Sequence, residues 1–303
     1  MFHGTMTALV TPFSNGNIDE EAFRAHLDRQ IEAGIHGVVP AGTTGEAATL
    51  SFDEHKQVIR IAVEQVAGRV PVIAGTGSNN TAESIALTAA AKTLGADGAL
   101  LISPYYNKPT QEGIYQHYKA VADAVHIPQV VYNVPGRTHS NILPETVGRL
   151  SHVANIVGIK DATANMEQLV HTISACEGRI ECYSGDDASV MPFMALGGDG
   201  VISVVSNIAP QAMVALTDAM RAGDLATARS VQFAMRELNR MLFVQANPIP
   251  VKAACSLLGW MHGELRLPLI EMDGEPLQGL RQAMLNFECE QAGASMRLEM
   301  ADH

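Results

Sequence analysis

Residues 156–160 read Ile156-Val157-Gly158-Ile159-Lys160, a short apolar run that ends in a single lysine. Runs of this kind recur along the chain and are typical of strands that are buried on both faces. We predict eight such strands, at residues 6–11, 37–41, 71–75, 98–103, 129–133, 156–160, 181–184 and 201–205. Each is followed by a segment of helical length, and this alternation predicts a parallel sheet with helical crossovers.

Helix signals fall between the predicted strands. In residues 19–32 the spacing of the apolar residues predicts an amphipathic helix. Ser51 followed by Glu54 is the pattern of a capping box, which marks the start of a helix. Glycines stand where four of the helices are expected to end, at Gly34, Gly68, Gly95 and Gly223.

The count and length of these units predict an α/β fold, a (β/α)8 TIM barrel with a C-terminal helical appendage. After Gly223 the pattern becomes helical alone, at residues 225–244 and 251–258. We therefore predict a catalytic barrel over residues 1–223 and a C-terminal helical region over residues 224–303. A doubly wound open sheet is the second possibility, but no GxGxxG motif opens a helix here.

Composition narrows the functional classes. The formal net charge of −12 argues against a nucleic-acid partner, because phosphate binding needs a basic surface. We expect no membrane partner either, since no apolar run approaches the roughly 20 residues that span a bilayer. The N-terminus lacks the features of a signal peptide, and four cysteines show no CxxC spacing. These features predict a cytoplasmic protein with free thiols and no metal site.

Lys160 is the strongest catalytic candidate. Active sites of such barrels lie at the carboxyl ends of the strands, and Lys160 alone of six lysines ends an apolar strand. Burial there would lower its pKa and leave part of the amine unprotonated, able to attack a ketone. The alternative role is an ion pair with Asp161 or another carboxylate, and position alone does not separate the two.

Other polar groups follow the predicted strands. Tyr132 ends the fifth strand, residues 42–46 form a glycine-rich turn after the second, and Arg137 follows the fifth. Such a turn can hold a carboxylate through hydroxyls and amides, and an arginine can bind a carboxylate with two hydrogen bonds. Each also has an ordinary structural reading: Tyr132 as a barrel side chain, residues 42–46 as a common turn, and Arg137 as a surface residue. The paired acids Asp186 and Asp187 lack the further oxygen ligands that a hard cation requires.

Taken together, several segments resemble the dihydrodipicolinate synthase and N-acetylneuraminate lyase superfamily. They are residues 42–46, 74–77, 104–107, 132–138, 158–163, 184–187 and 247–252, each at the expected strand end or in the C-terminal part. Within this superfamily the resemblance is greatest to the dihydrodipicolinate synthase family. It implies the condensation of pyruvate with L-aspartate 4-semialdehyde, a step of lysine and diaminopimelate biosynthesis.

The resemblance also implies residue roles. Lys160 would form an imine with pyruvate, and Tyr132, Thr43 and Tyr106 would relay protons. Substrate contacts would come from Thr44, Arg137, Gly185 and Ile202. The residue matching Tyr106 reaches in from a neighbouring subunit in the family, which implies a homotetramer built as a dimer of dimers. No cofactor is expected, because the imine on Lys160 supplies the electrophilic catalysis.

Two other functions share parts of this pattern. N-acetylneuraminate lyases and sugar-acid aldolases would share Lys160 and Tyr132, but they generally lack an arginine at the position of Arg137. A non-catalytic sensor could keep the barrel, since the fold alone does not settle function. The complete set of Lys160, Tyr132, Thr43 and Tyr106 argues against a sensor.

L-Lysine is a possible effector, again by resemblance. In many relatives lysine binds at the tight dimer interface and inhibits. The residues here that match this site are Ala48, His55, Gly77, Asn79, Glu83 and Tyr105. The alternative is that His55 and Glu83 are ordinary solvated residues. Phe52 replaces a histidine that helps to hold lysine in some relatives, so altered inhibition is expected.

Overall fold

The structure, a computed structural model, describes residues 2–291, with side chains described as far as residue 287. The last part of the predicted C-terminal region, residues 292–303, therefore lies outside the described residues, as does the side chain of Cys289. The strands are β1 (Gly4–Ala8), β2 (Phe13–Ser14), β3 (Asn17–Ile18), β4 (Gly37–Val39), β5 (Ile73–Gly75), β6 (Gly98–Ile102), β7 (Gln129–Asn133), β8 (Ile156–Asp161), β9 (Glu181–Ser184) and β10 (Gly200–Ser203).

Eight of these strands form one parallel sheet, in the order β4-β1-β10-β9-β8-β7-β6-β5. A parallel bridge between Val38 and Val72 joins its two edges, and the amide of Val38 donates to the carbonyl of Pro71 at 2.9 Å. The sheet therefore closes on itself, which confirms the predicted TIM barrel. The short antiparallel hairpin of β2 and β3 was not predicted, because two-residue strands carry no readable period.

Alternation along each strand divides the apolar side chains between two environments. One set points into the barrel, for example Met6, Ile73, Val130 and Ile202. The other set lies between the strands and the surrounding helices, and it includes Val131 and Ile159. Because both faces are covered, most of the strands are rich in apolar residues and lack a regular alternation with polar ones.

The helices surround this barrel and extend beyond it. They are α1 (Glu20–Glu32), α2 (Phe52–Val66), α3 (Thr81–Leu94), α4 (Gln111–Ala124), α5 (Pro135–Thr138), α6 (Pro144–Leu150), α7 (Met166–Cys176), α8 (Val190–Ala195), α9 (Pro210–Ala222), α10 (Leu225–Ala234), α11 (Arg236–Leu242), α12 (Ile249–Leu257) and α13 (Gly274–Gln291).

Several helix ends follow the predicted signals. Ser51 and Glu54 form the complete capping box at the start of α2. Gly95 and Gly223 take left-handed conformations at the ends of α3 and α9. At the end of α2 the left-handed cap is Ala67, with Gly68 following it, also at positive φ. The glycine predicted to end this helix therefore lies one residue after the left-handed cap.

The C-terminal region differs in detail from the prediction. The helix expected over residues 225–244 is divided into α10 and α11 at Met235, which is both the C-terminal cap of α10 and the N-terminal cap of α11. The segment from α10 to α13 packs on one side of the barrel. One hydrophobic cluster contains Val201 and Val205 of the barrel together with Leu238, Val251 and Leu280 of the C-terminal region. The barrel and the C-terminal region therefore share one hydrophobic core across the predicted boundary between residues 223 and 224.

Within the described residues, no helix is both long and apolar enough to cross a membrane.

Candidate functional site

Lys160 lies near the carboxyl end of β8 and points into the mouth of the barrel. Only 5% of the residue is exposed. Burial lowers the pKa of its amine to about 8, with a further lowering by Arg137, while the negative charge of Asp187 opposes the shift. None of the described carboxylates forms a salt bridge with it, so the alternative ion pair with Asp161 is not formed. Asp161 instead accepts a hydrogen bond from the amide of Thr163 at 2.7 Å.

Tyr132 lies beside Lys160 on the neighbouring strand. The two are register partners of β7 and β8, and the Lys160 amine is 4.4 Å from the centre of the Tyr132 ring. Burial raises the pKa of the Tyr132 hydroxyl, while the charge of Arg137 and a hydrogen bond with the Thr43 side chain lower it. The structure thus brings together Lys160, Tyr132 and Thr43, from three different strand ends.

The glycine-rich turn at residues 42–46 carries Thr43 and Thr44. The turn is closed by the amide of Glu46, which donates to the carbonyl of Thr43 at 3.1 Å. Thr44 is buried, and its hydroxyl oxygen accepts a hydrogen bond from Nδ2 of Asn247 at 3.0 Å. Its own O–H therefore remains able to donate to an anionic ligand.

Arg137 lies at the rim of the site, on the short helix α5. It is exposed, and Nη2 donates to the backbone carbonyl of Asn247 at 3.0 Å. A guanidinium has five N–H donors, so most of them remain available to a ligand carboxylate.

Gly185 directly follows β9, and Ile202 lies on β10. A methyl group on Gly185 would approach Cε of Lys160 to 3.0 Å and the Cβ of Ala162 to 2.7 Å. Because glycine has no side chain, this position leaves space for the side chain of Lys160. Ile202 is buried in the cluster inside the barrel that also contains Tyr132.

A cavity of about 400 Å³ opens at this end of the barrel. Its lining includes Thr43, Thr44, Tyr132, Arg137 and Lys160. Tyr106 is not part of the lining: its side chain is 89% exposed and its backbone has a φ of 72°. Within one chain, the structure does not bring Tyr106 to the other three predicted catalytic residues.

The same cavity continues toward the residues that match the effector site. Five of the six predicted residues line it, namely Ala48, His55, Gly77, Glu83 and Tyr105, together with Phe52. The sixth, Asn79, donates from Nδ2 to the carbonyl of Tyr105 at 3.1 Å. Glu83 accepts a hydrogen bond from the hydroxyl of Ser78 at 2.8 Å. His55 and Glu83 are thus not simply solvated residues on a helix surface.

His55 is held in one orientation. Its Nε2 lies 2.7 Å from the carbonyl of Gly75, and a carbonyl can only accept, so Nε2 carries a proton. Burial lowers the pKa of this imidazole, which favours the neutral form.

For some residues next to the site, no role was predicted from the sequence. Glu46 and Lys252 form a fully buried ion pair at 2.6 Å, although Lys252 is far along the chain. Asn247 contacts both Thr44 and Arg137. Asp187 is buried, and burial raises its pKa to about 6. The apolar residues around Lys252 are a signal that could have indicated its burial.

Among the described residues, no group of three or more His, Cys, Asp and Glu side chains is arranged to hold a metal ion. Asp186 and Asp187 have separate partners. Asp186 accepts from the hydroxyl of Ser189, whereas Asp187 accepts from the amides of Val204 and Val205.

Comparison with known proteins gives a consistent result over nearly the whole chain. A model of the Dihydrodipicolinate synthetase family matches residues 1–286. A 4-hydroxy-tetrahydrodipicolinate synthase of Nitratidesulfovibrio vulgaris (strain DSM 19637 / Miyazaki F) is 54% identical over 293 residues, which cover 96% of this chain and 99% of the relative.

Three solved structures are also similar. The chloride-inhibited dihydrodipicolinate synthase of Acinetobacter baumannii, complexed with pyruvate, has a TM-score of 0.94 at 45% identity, covering 95% of this chain and 99% of that one. The lysine-bound enzyme of Cyanidioschyzon merolae has a TM-score of 0.92 at 41% identity, covering 95% and 98%. A monomeric dihydrodipicolinate synthase variant has a TM-score of 0.93 at 43% identity, covering 95% and 97%.

Proposed function

Because this chain belongs to the dihydrodipicolinate synthetase family, and is a lyase of the class I aldolase type, we propose that Lys160 is its Schiff-base residue. The activity is that of a 4-hydroxy-tetrahydrodipicolinate synthase, which condenses pyruvate with L-aspartate 4-semialdehyde in lysine and diaminopimelate biosynthesis. The observation that carries the proposal is a buried amine with a pKa lowered to about 8, at a strand end and beside a cavity.

The first half of the reaction takes place on Lys160. The unprotonated amine attacks the ketone carbon of pyruvate, and loss of water from the adduct gives a protonated imine. This imine withdraws electrons from the pyruvate methyl group, which then loses a proton to give an enamine. The proposed catalysis needs no cofactor, because the imine nitrogen is itself the electron sink.

The second half joins the two substrates. The enamine carbon attacks the aldehyde carbon of the semialdehyde, and the aldehyde oxygen takes up a proton. The amino group of the semialdehyde portion then attacks the imine carbon, closes the ring and displaces the Lys160 amine. The enzyme is thereby restored, and the product is 4-hydroxy-tetrahydrodipicolinate.

Tyr132, Thr43 and Tyr106 are proposed to move the protons of these steps. The hydrogen bond between the Tyr132 hydroxyl and Thr43 supports the first part of this relay. A hydroxyl with a raised pKa is a weak acid at neutral pH, so it serves by passing a proton along hydrogen bonds rather than by ionising alone.

The proposed role of Tyr106 requires a second copy of the chain. Its side chain is almost fully exposed and lies outside the cavity of its own subunit. We propose that it enters the site of a neighbouring copy in a homotetramer arranged as a dimer of dimers. A solvent-exposed tyrosine next to the cavity-lining Tyr105 fits such an interface.

Substrate binding is proposed to use two carboxylate-binding groups. Thr44 would donate its hydroxyl proton to the pyruvate carboxylate, since its oxygen already accepts from Asn247. Arg137, at the rim, would bind the carboxylate of the semialdehyde. Gly185 and Ile202 would contact pyruvate through backbone groups.

We also propose L-lysine as an effector that binds in the second part of the cavity. The carboxylate of Glu83 would pair with the ammonium of the ligand, and Asn79 and Tyr105 would hold its carboxylate. His55, Ala48 and Gly77 would complete the wall. The lysine-bound structure of the Cyanidioschyzon merolae relative supports this choice of ligand. A cytoplasmic location is also part of the proposal, supported by the free thiols of Cys176, Cys182 and Cys255.

A coupled assay with pyruvate and L-aspartate 4-semialdehyde tests the proposed function. Turnover with this pair, together with a borohydride-trapped pyruvate adduct on Lys160, is the expected result. Turnover only with N-acetylneuraminate or a 2-keto-3-deoxy sugar acid, or an adduct on a different lysine, would refute it.

A further inference from the structure

A buried ion pair connects the C-terminal helical region with the turn at residues 42–46. Nζ of Lys252 donates to Oε1 of Glu46 and to the carbonyl of Glu264, both at 2.6 Å. The backbone amide of Arg266 donates to the other oxygen of Glu46 at 3.1 Å. The two side chains are 0% and 1% exposed. Buried ion pairs contribute little net stability, because desolvation offsets their attraction, so stability alone is a weak reason for this one.

The pair acts on a turn with an unusual backbone. Glu46 has a φ of 56°, a left-handed conformation that residues other than glycine rarely adopt. Its amide closes the turn onto Thr43, and the amide of Ala47 donates to Gly42 at 3.2 Å. Holding the carboxylate of Glu46 therefore holds the peptide groups of the turn that carries Thr43 and Thr44.

The other end of the ion pair lies on a segment that also reaches the site. Lys252 is in α12, and its amide donates to the carbonyl of Pro248 at 3.0 Å. Asn247, directly before this proline, donates to the hydroxyl of Thr44 and accepts from Arg137. One short segment is thus bonded to the turn at two places and to Arg137 at a third.

We propose that Glu46 and Lys252 are positioning residues for substrate binding. The ion pair fixes the turn against α12, and α12 in turn fixes the separation between Thr44 and Arg137. These are the two groups that the proposed function assigns to the carboxylates of pyruvate and the semialdehyde, so the inference rests on that function. The C-terminal helical region then takes part in substrate binding as well as in the shared core.

The test compares the double variant Glu46→Gln/Lys252→Met with a matched control. Replacing both charges leaves no unpaired buried ion, and buried ion pairs commonly tolerate such replacement. The control, Glu54→Gln, breaks the ion pair between Glu54 and the Arg266 side chain, which joins α2 to the C-terminal region. Arg266 contacts the turn through its backbone amide, which this substitution leaves in place. Melting temperature, the KM and kcat for pyruvate, and the rate of borohydride trapping are measured for each protein.

We expect the double variant to remain folded and its KM for pyruvate to rise about tenfold to a hundredfold, as small misplacements of binding groups do. Borohydride trapping in the double variant should be slower than in the native protein at limiting pyruvate and equally fast at saturating pyruvate. The pH dependence of the trapping rate should be unchanged. The Glu54→Gln control should lose melting temperature and keep its KM.

Three results would overturn the inference. They are a folded double variant with the native KM, a rise in KM that is equal in Glu54→Gln, and a double variant that does not fold, which would make the pair a requirement of folding. Failure of the proposed function looks different, because the native protein would then give no pyruvate adduct on Lys160.

Discussion

Tyr132 and Lys160 are register partners on adjacent parallel strands, and the Lys160 amine lies 4.4 Å from the centre of the Tyr132 ring. Residues in register on neighbouring strands point to the same face, so both side chains enter the barrel mouth together. Burial at this position lowers the Lys160 pKa to about 8. About a tenth of the amine is then unprotonated at pH 7, compared with about one molecule in 2,500 for an unperturbed lysine.

Lys160→Arg is expected to abolish the borohydride-trapped pyruvate adduct and turnover. A guanidinium stays protonated and cannot become the imine nitrogen. Mass mapping of the trapped native protein should place the adduct on the peptide that contains Lys160. Lys108→Arg, which changes an exposed lysine in the loop after β6, is the control and should trap normally. An adduct on Lys108 or Lys252 would contradict the assignment.

The rate of imine trapping should rise with pH through a midpoint near 8. The cause is the lowered pKa of Lys160, since only the unprotonated amine attacks. Asp187 is ionised above its own pKa of about 6, and its negative charge stabilises the ammonium form. Asp187→Asn should therefore lower the Lys160 pKa and move the midpoint to a lower pH.

The midpoint is measured from initial trapping rates between pH 6 and pH 10, at saturating pyruvate. The control is Asp123→Asn, which removes an exposed charge paired with Lys119 on α4. A midpoint that moves upward in Asp187→Asn, or that moves equally in both variants, would show that Asp187 does not act on Lys160.

Arg137→Ala should impair use of the semialdehyde much more than imine formation. Loss of a charged hydrogen-bond partner costs about 1.5–3 kcal/mol, which corresponds to about a tenfold to hundredfold fall in kcat/KM for the semialdehyde. Arg149→Ala, an exposed arginine paired with Glu112, is the control. Trapping with pyruvate alone should remain close to native at high pH; a parallel fall in trapping and turnover would contradict the role.

Tyr106→Phe should lower turnover strongly, and mixing should show whether Tyr106 acts in a neighbouring subunit. Subunits carrying Lys160→Arg still provide Tyr106, whereas Tyr106→Phe subunits still provide Lys160. Co-refolding or subunit exchange of the two variants should therefore restore part of the activity. Tyr115→Phe, on α4, serves as the control substitution.

Analytical ultracentrifugation of the native protein accompanies this experiment, and a tetramer is expected. Absence of any rescue in verified mixed oligomers, or a fully active monomer, would rule out a contribution from the neighbouring subunit.

L-Lysine should inhibit the enzyme, with a strength that differs from that in relatives carrying a histidine at the position of Phe52. Phe52 lines the cavity and is 45% exposed, and an aromatic face attracts an ammonium by about 0.5–2 kcal/mol. Calorimetry should detect binding to the native protein and its loss in Glu83→Thr. Glu145→Thr, another acid in the first turn of a helix, is the control. No heat and no inhibition at millimolar lysine in the native protein would refute the effector proposal.

The order of strands and helices could be predicted because each element carries a local signal. Apolar runs, capping residues and glycines near helix ends predicted all eight barrel strands to within two residues of their start. The first strand was placed two residues late, since residues 4–8 mix threonines with apolar side chains. The short hairpin and the break at Met235 were missed, because neither a two-residue strand nor a one-residue interruption of a helix changes the sequence period detectably.

The sequence by itself determined the barrel, the family resemblance and the choice of Lys160 over five other lysines, because a strand-end position follows from local pattern and chain order alone. Only the tertiary structure decided which distant groups meet there. Glu46 and Lys252 are separated by 206 positions in the chain and still form a buried ion pair. Asp187 and Arg137 act on the Lys160 pKa through space. Such contacts depend on how packed elements meet in three dimensions, and no residue spacing within one element encodes them.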